Sequence, residues 1–383
     1  MADNKDKKVL NAPHLRFPEF SGEWVETTLG KISEITKGSG ISKDQLSEQG
    51  SPCILYGELY TKYKSEIIDE VYSRTELDSS SLVKSKANDV IIPCSGETAI
   101  DISTARCVPF DNILLGGDLN IIRLKHDDGG FFAYQLNGAR KKDIARVAQG
   151  VSVVHLYGEN LKQIRVYHPN IEEQKKITRL LSLIDERIAT QNKIIEKYKS
   201  LIKGIAQHCI KESISGITYV KLGDICKITT GKLDANAQVD NGIFPFFTCA
   251  EQPFKIDNFA FDTEALLISG NGANLGYINY YKGKFNAYQR TYVLDLFSEN
   301  IQYIKWALKV LLPKRIAIEK SSSNTPYIVL STLTDLRLPI PSRGEQSFIA
   351  NLMQSLERKL SNQIAQYDSY NYLKQYLLRQ MFI

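Results

Sequence analysis

The sequence predicts an α+β fold: a tandem duplication of two mixed α/β domains, each followed by a long helix, with the two helices forming an antiparallel coiled coil. Three observations support this prediction. Residues 29–38 recur as residues 222–231, each copy contains short apolar runs bounded by turn residues, and each copy closes with a heptad pattern. The 383 residues are enough for two or three hydrophobic cores.

The repeat is clearest at the two ends of each copy. Leu29–Gly38 and Leu222–Gly231 share the pattern Leu-Gly-x-Ile-x-x-Ile-Thr-x-Gly, and the same spacing carries Pro52 onto Pro245. Near the other end, the pair Glu-Gln at 173–174 recurs at 345–346 with a shorter spacing, because the middle of the first copy is longer. The chain is therefore predicted to be a duplication with divergent centres.

The apolar runs predict strands, because they are short, rich in β-branched or aromatic residues, and bounded by Gly, Pro, Asn and Asp. They are Val90–Ile92, Ile113–Leu115, Ala265–Ile268 and Tyr292–Leu294. Proline-bearing stretches then precede each helix, since proline starts helices but breaks their interiors. The predicted organisation is a flexible tail at 1–15, a first domain at 16–170, a helix at 171–213, a second domain at 214–342 and a helix at 343–383.

Each long helix is predicted from apolar residues spaced alternately four and three apart, with one glutamine interrupting each seam. At about 1.5 Å per residue each helix would span about 60 Å. The alternative is that each helix packs only on its own domain. The predicted interface residues are Leu181, Ile184, Ile188, Gln191 and Ile195 in the first helix, and Leu356, Leu360, Gln363 and Tyr367 in the second.

No catalytic or metal-binding motif is present in the sequence. It lacks a phosphate-binding loop, a zinc-protease motif, a nucleophile elbow, and the Asn-Pro-Pro-aromatic motif that holds a flipped adenine in amino-methyltransferases. The six cysteines are far apart and form no C-x-x-C pair, so we expect free thiols and no metal site. No apolar stretch approaches a bilayer span, so we expect a soluble, cytoplasmic protein without a membrane partner.

Two segments carry side chains that suit DNA. The net charge of +5 permits a polyanionic partner, and lysine, glutamate and threonine can meet phosphates, cytosine N4 and the thymine methyl group. The alternative for the first segment, residues 56–63, is a surface hairpin with ordinary aromatics. The candidates are Tyr56, Glu58, Thr61, Lys62 and Ser95 in the first copy, and Lys282, Lys284, Gln289, Arg290, Ser321 and Asn324 in the second.

A glycine-rich run, Gly270–Gly276, loosely imitates a dinucleotide-binding loop. Its counterpart in the first copy, residues 95–99, lacks the set of glycines, which makes a shared cofactor loop implausible. We therefore expect a tight turn, which could still serve as a recognition loop.

The order of these motifs resembles that of the DNA-specificity subunit of type I restriction-modification enzymes. The resemblance rests on Trp24–Ile32 and Tyr219–Gly223, which open the copies, and on the proline-bearing stretch, Glu-Gln pair and long helix that close them. It implies a non-catalytic reader of a bipartite double-stranded DNA site, in which each domain is a target recognition domain and the helices are a spacer. It also implies two copies of a modification (methyltransferase) subunit, which binds S-adenosylmethionine and methylates adenine, together with restriction subunits. No cofactor is expected on this chain.

Three alternatives stay open at this point. The chain could be a self-contained enzyme, a coiled-coil adaptor whose domains bind protein, or the specificity chain of a related methyltransferase-nuclease system. Salt separates DNA binding from protein binding, because DNA binding weakens steeply as salt rises through counterion release.

Overall fold

A computed structural model describes residues 11–211, 218–319 and 327–383. The described residues form two compact units, the first made of residues 11–192 and 365–383 and the second of those between 193 and 364. The first ten residues of the predicted tail lie outside the described ranges, as do Ser321 and Asn324.

The first copy and its long helix comprise these elements: β1 Val25–Thr28, α1 Leu29–Ile32, β2 Ser33–Lys37, β3 Leu46–Ser47, β4 Ser51–Ile54, α2 Glu58–Thr61, β5 Ser73–Thr75, β6 Asp89–Pro93, β7 Ser95–Gly96, α3 Ala99–Ile102, β8 Arg106–Val108, β9 Leu114–Leu115, β10 Leu119–Leu124, α4 Gly129–Asn137, α5 Lys141–Val147, β11 Val154–His155, α6 Gly158–Lys162, β12 Arg165–His168 and α7 Ile171–Lys211.

Two four-stranded sheets organise the first domain, in the orders β2-β10-β6-β8 and β3-β5-β4-β9. The first sheet is antiparallel, whereas β4 and β9 pair in parallel in the second. Alternate residues of β6 enter different cores: Val90 and Ile92 face the core shared with the helices, and Ile91 faces the other core. A strand buried on both faces reads as a continuous apolar run, so the predicted strand at 90–92 is confirmed.

The second copy comprises β13 Thr218–Lys221, α8 Leu222–Ile225, β14 Lys227–Thr230, β15 Phe244–Phe247, β16 Phe254–Ile256, β17 Phe261–Ser269, β18 Ile278–Ala287, β19 Thr291–Asp295, α9 Ile301–Glu319, α10 Leu330–Thr334, β20 Arg337–Ile340 and α11 Arg343–Gln380. Six strands form one sheet in the order β14-β19-β17-β18-β15-β16. Leu266 and Ile268 of β17 face the core shared with the helices, and Leu267 faces a separate core. The predicted strands at 265–268 and 292–294 are confirmed.

The duplication extends to the strand pairing. The ribbon β1-β12 corresponds to β13-β20, and the parallel pair β4-β9 corresponds to β15-β18. Leu29 and Leu222, which open the repeat, are both fully buried. The repeat ends on glycine because Cβ atoms at Gly38 and Gly231 would lie only 2.0 and 1.9 Å from backbone carbonyl oxygens. The shared sequence pattern therefore reflects a shared core contact and a shared close approach of two backbone segments.

The long helices pack antiparallel. In the first unit, Leu181 of α7 belongs to the same core as Leu377 of α11. In the second unit, Ile202 of α7 belongs to the same core as Met353 of α11. The N-terminal half of each helix thus packs against the C-terminal half of the other, which confirms the predicted antiparallel direction. Each half also packs on the sheet of the unit in which it lies, so neither helix packs only on its own domain.

The second helix ends three residues earlier than predicted, at Gln380. Met381 and Phe382 are buried in the first unit, where the Phe382 ring lies 6.3 Å from Trp24 and 5.2 Å from Phe131. Aromatic packing on the domain core, rather than the heptad, therefore holds these residues. Among the helices of the described ranges, none has the length and apolarity that crossing a bilayer requires.

Candidate nucleic-acid interface

Four backbone segments meet at one end of the first domain's sheets, and together we call them the first edge. Three hydrogen bonds connect them: Gly116 N–H donates to Ile54 O at 2.9 Å, Cys94 N–H to Asp118 O at 2.6 Å, and Leu156 N–H to Cys94 O at 2.7 Å. Because β4 and β9 run in parallel, the segments that follow them emerge at the same end. The first edge consists of Leu55–Glu58, Cys94–Thr98, Gly116–Asp118 and Val154–Tyr157.

The second domain repeats this arrangement, and we call its four segments the second edge. Tyr288 N–H donates to Phe247 O at 2.9 Å, Gly270 N–H to Arg290 O at 2.8 Å, and Ile328 N–H to Gly270 O at 2.8 Å. These bonds join the same strand ends as those of the first edge. The second edge consists of Thr248–Glu251, Gly270–Asn274, Tyr288–Arg290 and Tyr327–Val329. The two edges therefore have the same backbone arrangement but different side chains.

Sequence-predicted residues of the first domain line one cleft. The cleft has a volume of about 790 Å³ and lies between α2 and the segment after β2. It brings together the four candidates of the 56–63 segment with residues that the sequence analysis missed. The predicted residues are Tyr56, Glu58, Thr61 and Lys62, and the missed ones include Ser42, Lys43, Gln45 and Asp118.

The 56–63 segment contains the short helix α2 rather than the hairpin weighed as its alternative. Glu58 begins α2 and is buried, and its carboxylate accepts hydrogen bonds from Leu55 N–H at 3.0 Å, Lys62 Nζ at 2.6 Å and the Ser73 hydroxyl. Thr61 donates its hydroxyl proton to Gly57 O at 2.7 Å. Glu58 thus fixes the position of α2, which forms one wall of the cleft. Lys62 extends from α2 with its side chain 47% exposed.

Ser95 lies on the first edge in β7, where its backbone pairs with that of His155. Its side chain is buried, with 8% of the residue exposed. The DNA contacts of Ser95 and of the four cleft residues stay predictions.

The four predicted residues of the second domain fall in two places. Lys282 and Lys284 project from β18, where Lys282 lies 3.4 Å from Glu264 and Lys284 lies 4.7 Å from the centre of the Phe259 ring. Gln289 and Arg290 lie on the second edge and are exposed. Within the described ranges, the side chains of Gln289 and Arg290 make no hydrogen bond or ion pair. Their role in contacting DNA, like that of the two lysines, stays a prediction.

The structural counterpart of the 56–63 segment is the Thr248–Glu251 segment, which the sequence analysis missed. Both follow equivalent strands, β4 and β15, and carry Glu58 and Glu251 at matching positions. A signal was present, because extending the match of Pro52 with Pro245 along the chain carries one glutamate onto the other. The glycine-rich run is a turn between β17 and β18, as expected, with positive φ at Gly272 and Gly276.

None of the residues named in the predicted seam of the long helices is exposed. Four of its residues are buried: Leu181, Ile184, Gln191 and Ile195. Five are half-buried: Ile188, Leu356, Leu360, Gln363 and Tyr367. A hydrogen bond between the two glutamines stays a prediction.

A buried lysine lies between the long helices of the first unit. Lys374 of α11 lies 2.6 Å from an oxygen of Asp185 on α7 and 2.5 Å from an oxygen of Glu66. The Tyr134 hydroxyl donates to the other oxygen of Asp185 at 2.8 Å. The sequence analysis missed this cluster, because Glu66 lies in a loop with no pattern of its own. We call Lys374, Asp185, Glu66 and Tyr134 the buried cluster.

The charges of the buried cluster perturb one another. Burial raises the pKa of Asp185 to about 6, and the neighbouring Glu66 carboxylate adds to the rise. Burial lowers the pKa of Lys374, but Glu66 and Asp185 outweigh it and leave the pKa of the ammonium above its ordinary value. The ammonium is therefore held charged between two carboxyl groups.

The second unit has a charged junction of its own between its domain and α11. Glu357 of α11 lies 2.8 Å from Lys305 and 3.2 Å from Lys309, both on α9. Burial raises the pKa of Glu357, but the two ammonium groups outweigh it and lower that pKa below its ordinary value. We call these three residues the rim cluster, because Glu357 and Lys309 stay one-third exposed.

The sequence model described as the type I restriction modification DNA specificity domain matches this chain twice, at residues 21–199 and 214–367. The chain belongs to this family. The two matches cover most of the chain, and each includes one edge. The resemblance and the fold class predicted from the sequence are therefore confirmed.

Two relatives of this chain are named as specificity subunits of type I restriction enzymes. The chain is 44% identical over 137 residues to the Type I restriction enzyme EcoDI specificity subunit of Escherichia coli, which covers 36% of the chain and 30% of that relative. It is 24% identical over 256 residues to the MjaIX specificity subunit of Methanocaldococcus jannaschii, which covers 56% of the chain and 59% of that relative. Both alignments span less than two thirds of the relative.

Solved structures show the same fold over nearly the whole chain. The crystal structure of a type I restriction-modification S subunit from M. genitalium matches with a TM-score of 0.67 at 20% identity, covering 97% of this chain and 99% of that one. A chain from a study of complex assembly and conformational transition in the type I system matches with a TM-score of 0.58 at 16% identity, covering 94% and 97%.

Proposed function

We propose that this chain is the DNA-reading specificity subunit of a type I restriction-modification complex, in which each domain reads one half of a bipartite site. The observation that carries the proposal is the double match to the specificity-domain family, one match on each repeat. The two edges support it, because one backbone arrangement occurs twice with different side chains. A reader of two unlike half-sites requires such a pair.

The proposed role is that of a non-catalytic reader. Two modification subunits bind S-adenosylmethionine and methylate adenine, restriction subunits cut, and this chain brings both to the site without a cofactor of its own. The helices α7 and α11 act as the spacer between the domains. The names of the relatives, all specificity subunits, and the resemblance of the repeat ends support these roles.

Exchange of one domain tests the proposal. Residues 16–170 are replaced by the equivalent domain of a relative, and the chain is co-expressed with a modification subunit that assembles with it. We expect one half of the methylated site to change, with the other half and the methylated base type unchanged, when methylated adenines are mapped across the host genome. Exchange of residues 214–342 is the matched control and should change the opposite half.

Two results would contradict the proposal. One is a change in both halves, or in neither, after a single exchange. The other is binding to DNA that hardly weakens with salt, since a reader that neutralises phosphates loses affinity steeply as salt rises. Methylation by the purified chain alone would instead favour a self-contained enzyme.

A further inference from the structure

The two edges place opposite charges at one equivalent backbone position. Asp118 and Arg290 each end the turn that leads into the central strand, β10 or β19. The carbonyl of each accepts the equivalent hydrogen bond, from Cys94 N–H at 2.6 Å and from Gly270 N–H at 2.8 Å. The last residues of β4 and β15, Ile54 and Phe247, also accept equivalent hydrogen bonds at 2.9 Å, from Gly116 N–H and Tyr288 N–H. The two side chains therefore leave the same point of a duplicated scaffold.

Both side chains are available to a ligand. Asp118 and Arg290 are exposed, and in the described part of the chain neither side chain makes a hydrogen bond or ion pair. Most other charged candidates are engaged within the protein. Lys62 pairs with Glu58, and Lys282 pairs with Glu264. Asp118 also lines the cleft that holds the sequence-predicted residues of the first domain.

The two groups have opposite hydrogen-bonding chemistry. A guanidinium donates two parallel hydrogen bonds and matches O6 and N7 of guanine, whereas a carboxylate only accepts and matches the amino group of cytosine. One base edge cannot satisfy both groups. A scaffold that carries aspartate in one copy and arginine in the other is therefore suited to reading different bases at equivalent positions.

We propose that Asp118 and Arg290 are specificity-determining residues, with Arg290 reading a guanine in the half-site of the second domain and Asp118 reading the amino group of a cytosine in the half-site of the first. This inference rests on the proposed function and deepens it. It requires a recognition sequence that is asymmetric at the two equivalent positions.

Backbone geometry guides the choice of variants. Asp118 has a φ of 57°, in the left-handed region that aspartate and asparagine tolerate better than most residues. Asp118→Asn keeps that backbone and replaces an acceptor-only group with one that also donates. Arg290→Gln removes the charge, and Arg290→Lys keeps the charge without the two-pronged donor. Lys227→Gln is the matched control, because it removes an exposed positive charge from the same domain, and Lys227 pairs with Asp295 at the end of β19 away from the second edge.

The experiment uses the full chain assembled with its modification subunits. Methylated motifs are mapped for each variant, and binding is measured on duplexes that carry every single-base substitution. We expect Arg290→Gln to weaken binding to the original site by about 10- to 100-fold, to relax one guanine of the second half-site and to leave the first unchanged. Arg290→Lys should not restore the preference. Asp118→Asn should relax one position of the first half-site only.

Several results would overturn the inference. One is a second half-site without guanine. Another is a uniform weakening on all sequences that Arg290→Lys repairs, as a phosphate contact would give. A third is an effect of Lys227→Gln as large as that of Arg290→Gln. If the wild-type complex methylated no bipartite motif, the proposed function itself would fail. A bipartite motif that both Asp118→Asn and Arg290→Gln leave unchanged would remove only this inference.

Discussion

The buried cluster of the first unit and the rim cluster of the second each lie at a junction between a domain and α11, yet they differ in depth and in the sign of their central charge. Lys374 sits between two carboxyl groups with little solvent access, whereas Glu357 sits between two ammonium groups near the surface. Charges in a low-dielectric interior interact strongly and cost much to leave unpaired, whereas exposed pairs are screened. We therefore expect the stability of the first unit to depend strongly on the ion pairs of its buried cluster, and that of the second unit to depend little on those of its rim cluster.

The largest expected effect comes from removing the buried ammonium. Lys374→Ala leaves Glu66 and Asp185 close together without their cation, so the free energy of unfolding should fall by about 3–5 kcal/mol. Urea denaturation measures it. Lys359→Ala, an exposed lysine of the same helix, is the control and should change stability by less than about 0.5 kcal/mol.

A combined variant tests the cause of that loss. Replacing all three charges by neutral groups, with Lys374→Met, Glu66→Gln and Asp185→Asn, should recover most of the stability, because no unpaired charge remains. If the triple variant is as unstable as Lys374→Ala, packing of the lysine chain rather than charge pairing explains the effect.

The next effect is a pH dependence of opposite sign in the two clusters. The folded-state pKa of Asp185 is about 6, above its ordinary value, so the folded state holds a proton that the unfolded state has lost between about pH 4 and 6. Stability due to this group therefore falls as pH rises through that window, by on the order of 3 kcal/mol, and is flat above it. The free energy of unfolding of the wild type, relative to that of Asp185→Asn, should therefore be highest at low pH.

Glu357 should behave in the reverse way, because its pKa is below the ordinary value of 4.5. Its contribution is present above that value and is lost as pH falls through the lowered pKa. Unfolding free energies of the wild type, Asp185→Asn and Glu357→Gln between pH 3 and 7 test both signs. Parallel profiles for the two variants would show that the junctions do not differ as described.

The smallest effect is expected at the rim cluster near neutral pH. Glu357→Gln keeps an acceptor for Lys305, and the one-third exposed pair with Lys309 is screened by water and salt, so the loss should be about 1 kcal/mol or less. Raising the salt concentration should shrink it further. A loss as large as that of Lys374→Ala would contradict the difference in depth between the two junctions.

Local sequence patterns determined much of this protein. The repeated Leu-Gly motif, the four apolar runs and the heptads predicted the duplication, the core strands and the antiparallel helices, because each depends on residues close together in the chain. The prediction placed Gln289 and Arg290 among the candidates, and both lie on the second edge.

Tertiary structure alone decided which distant segments meet. Glu66 and Lys374 are 308 positions apart, and no local periodicity relates a loop carboxylate to a helix lysine. The parallel pairing of β4 with β9 and of β15 with β18 brings the Leu55–Glu58 and Thr248–Glu251 segments to equivalent edges, although their side chains diverge. The match of Pro52 with Pro245 pointed to this equivalence, but only the backbone hydrogen bonds, which do not depend on side-chain identity, maintain it where the side chains differ.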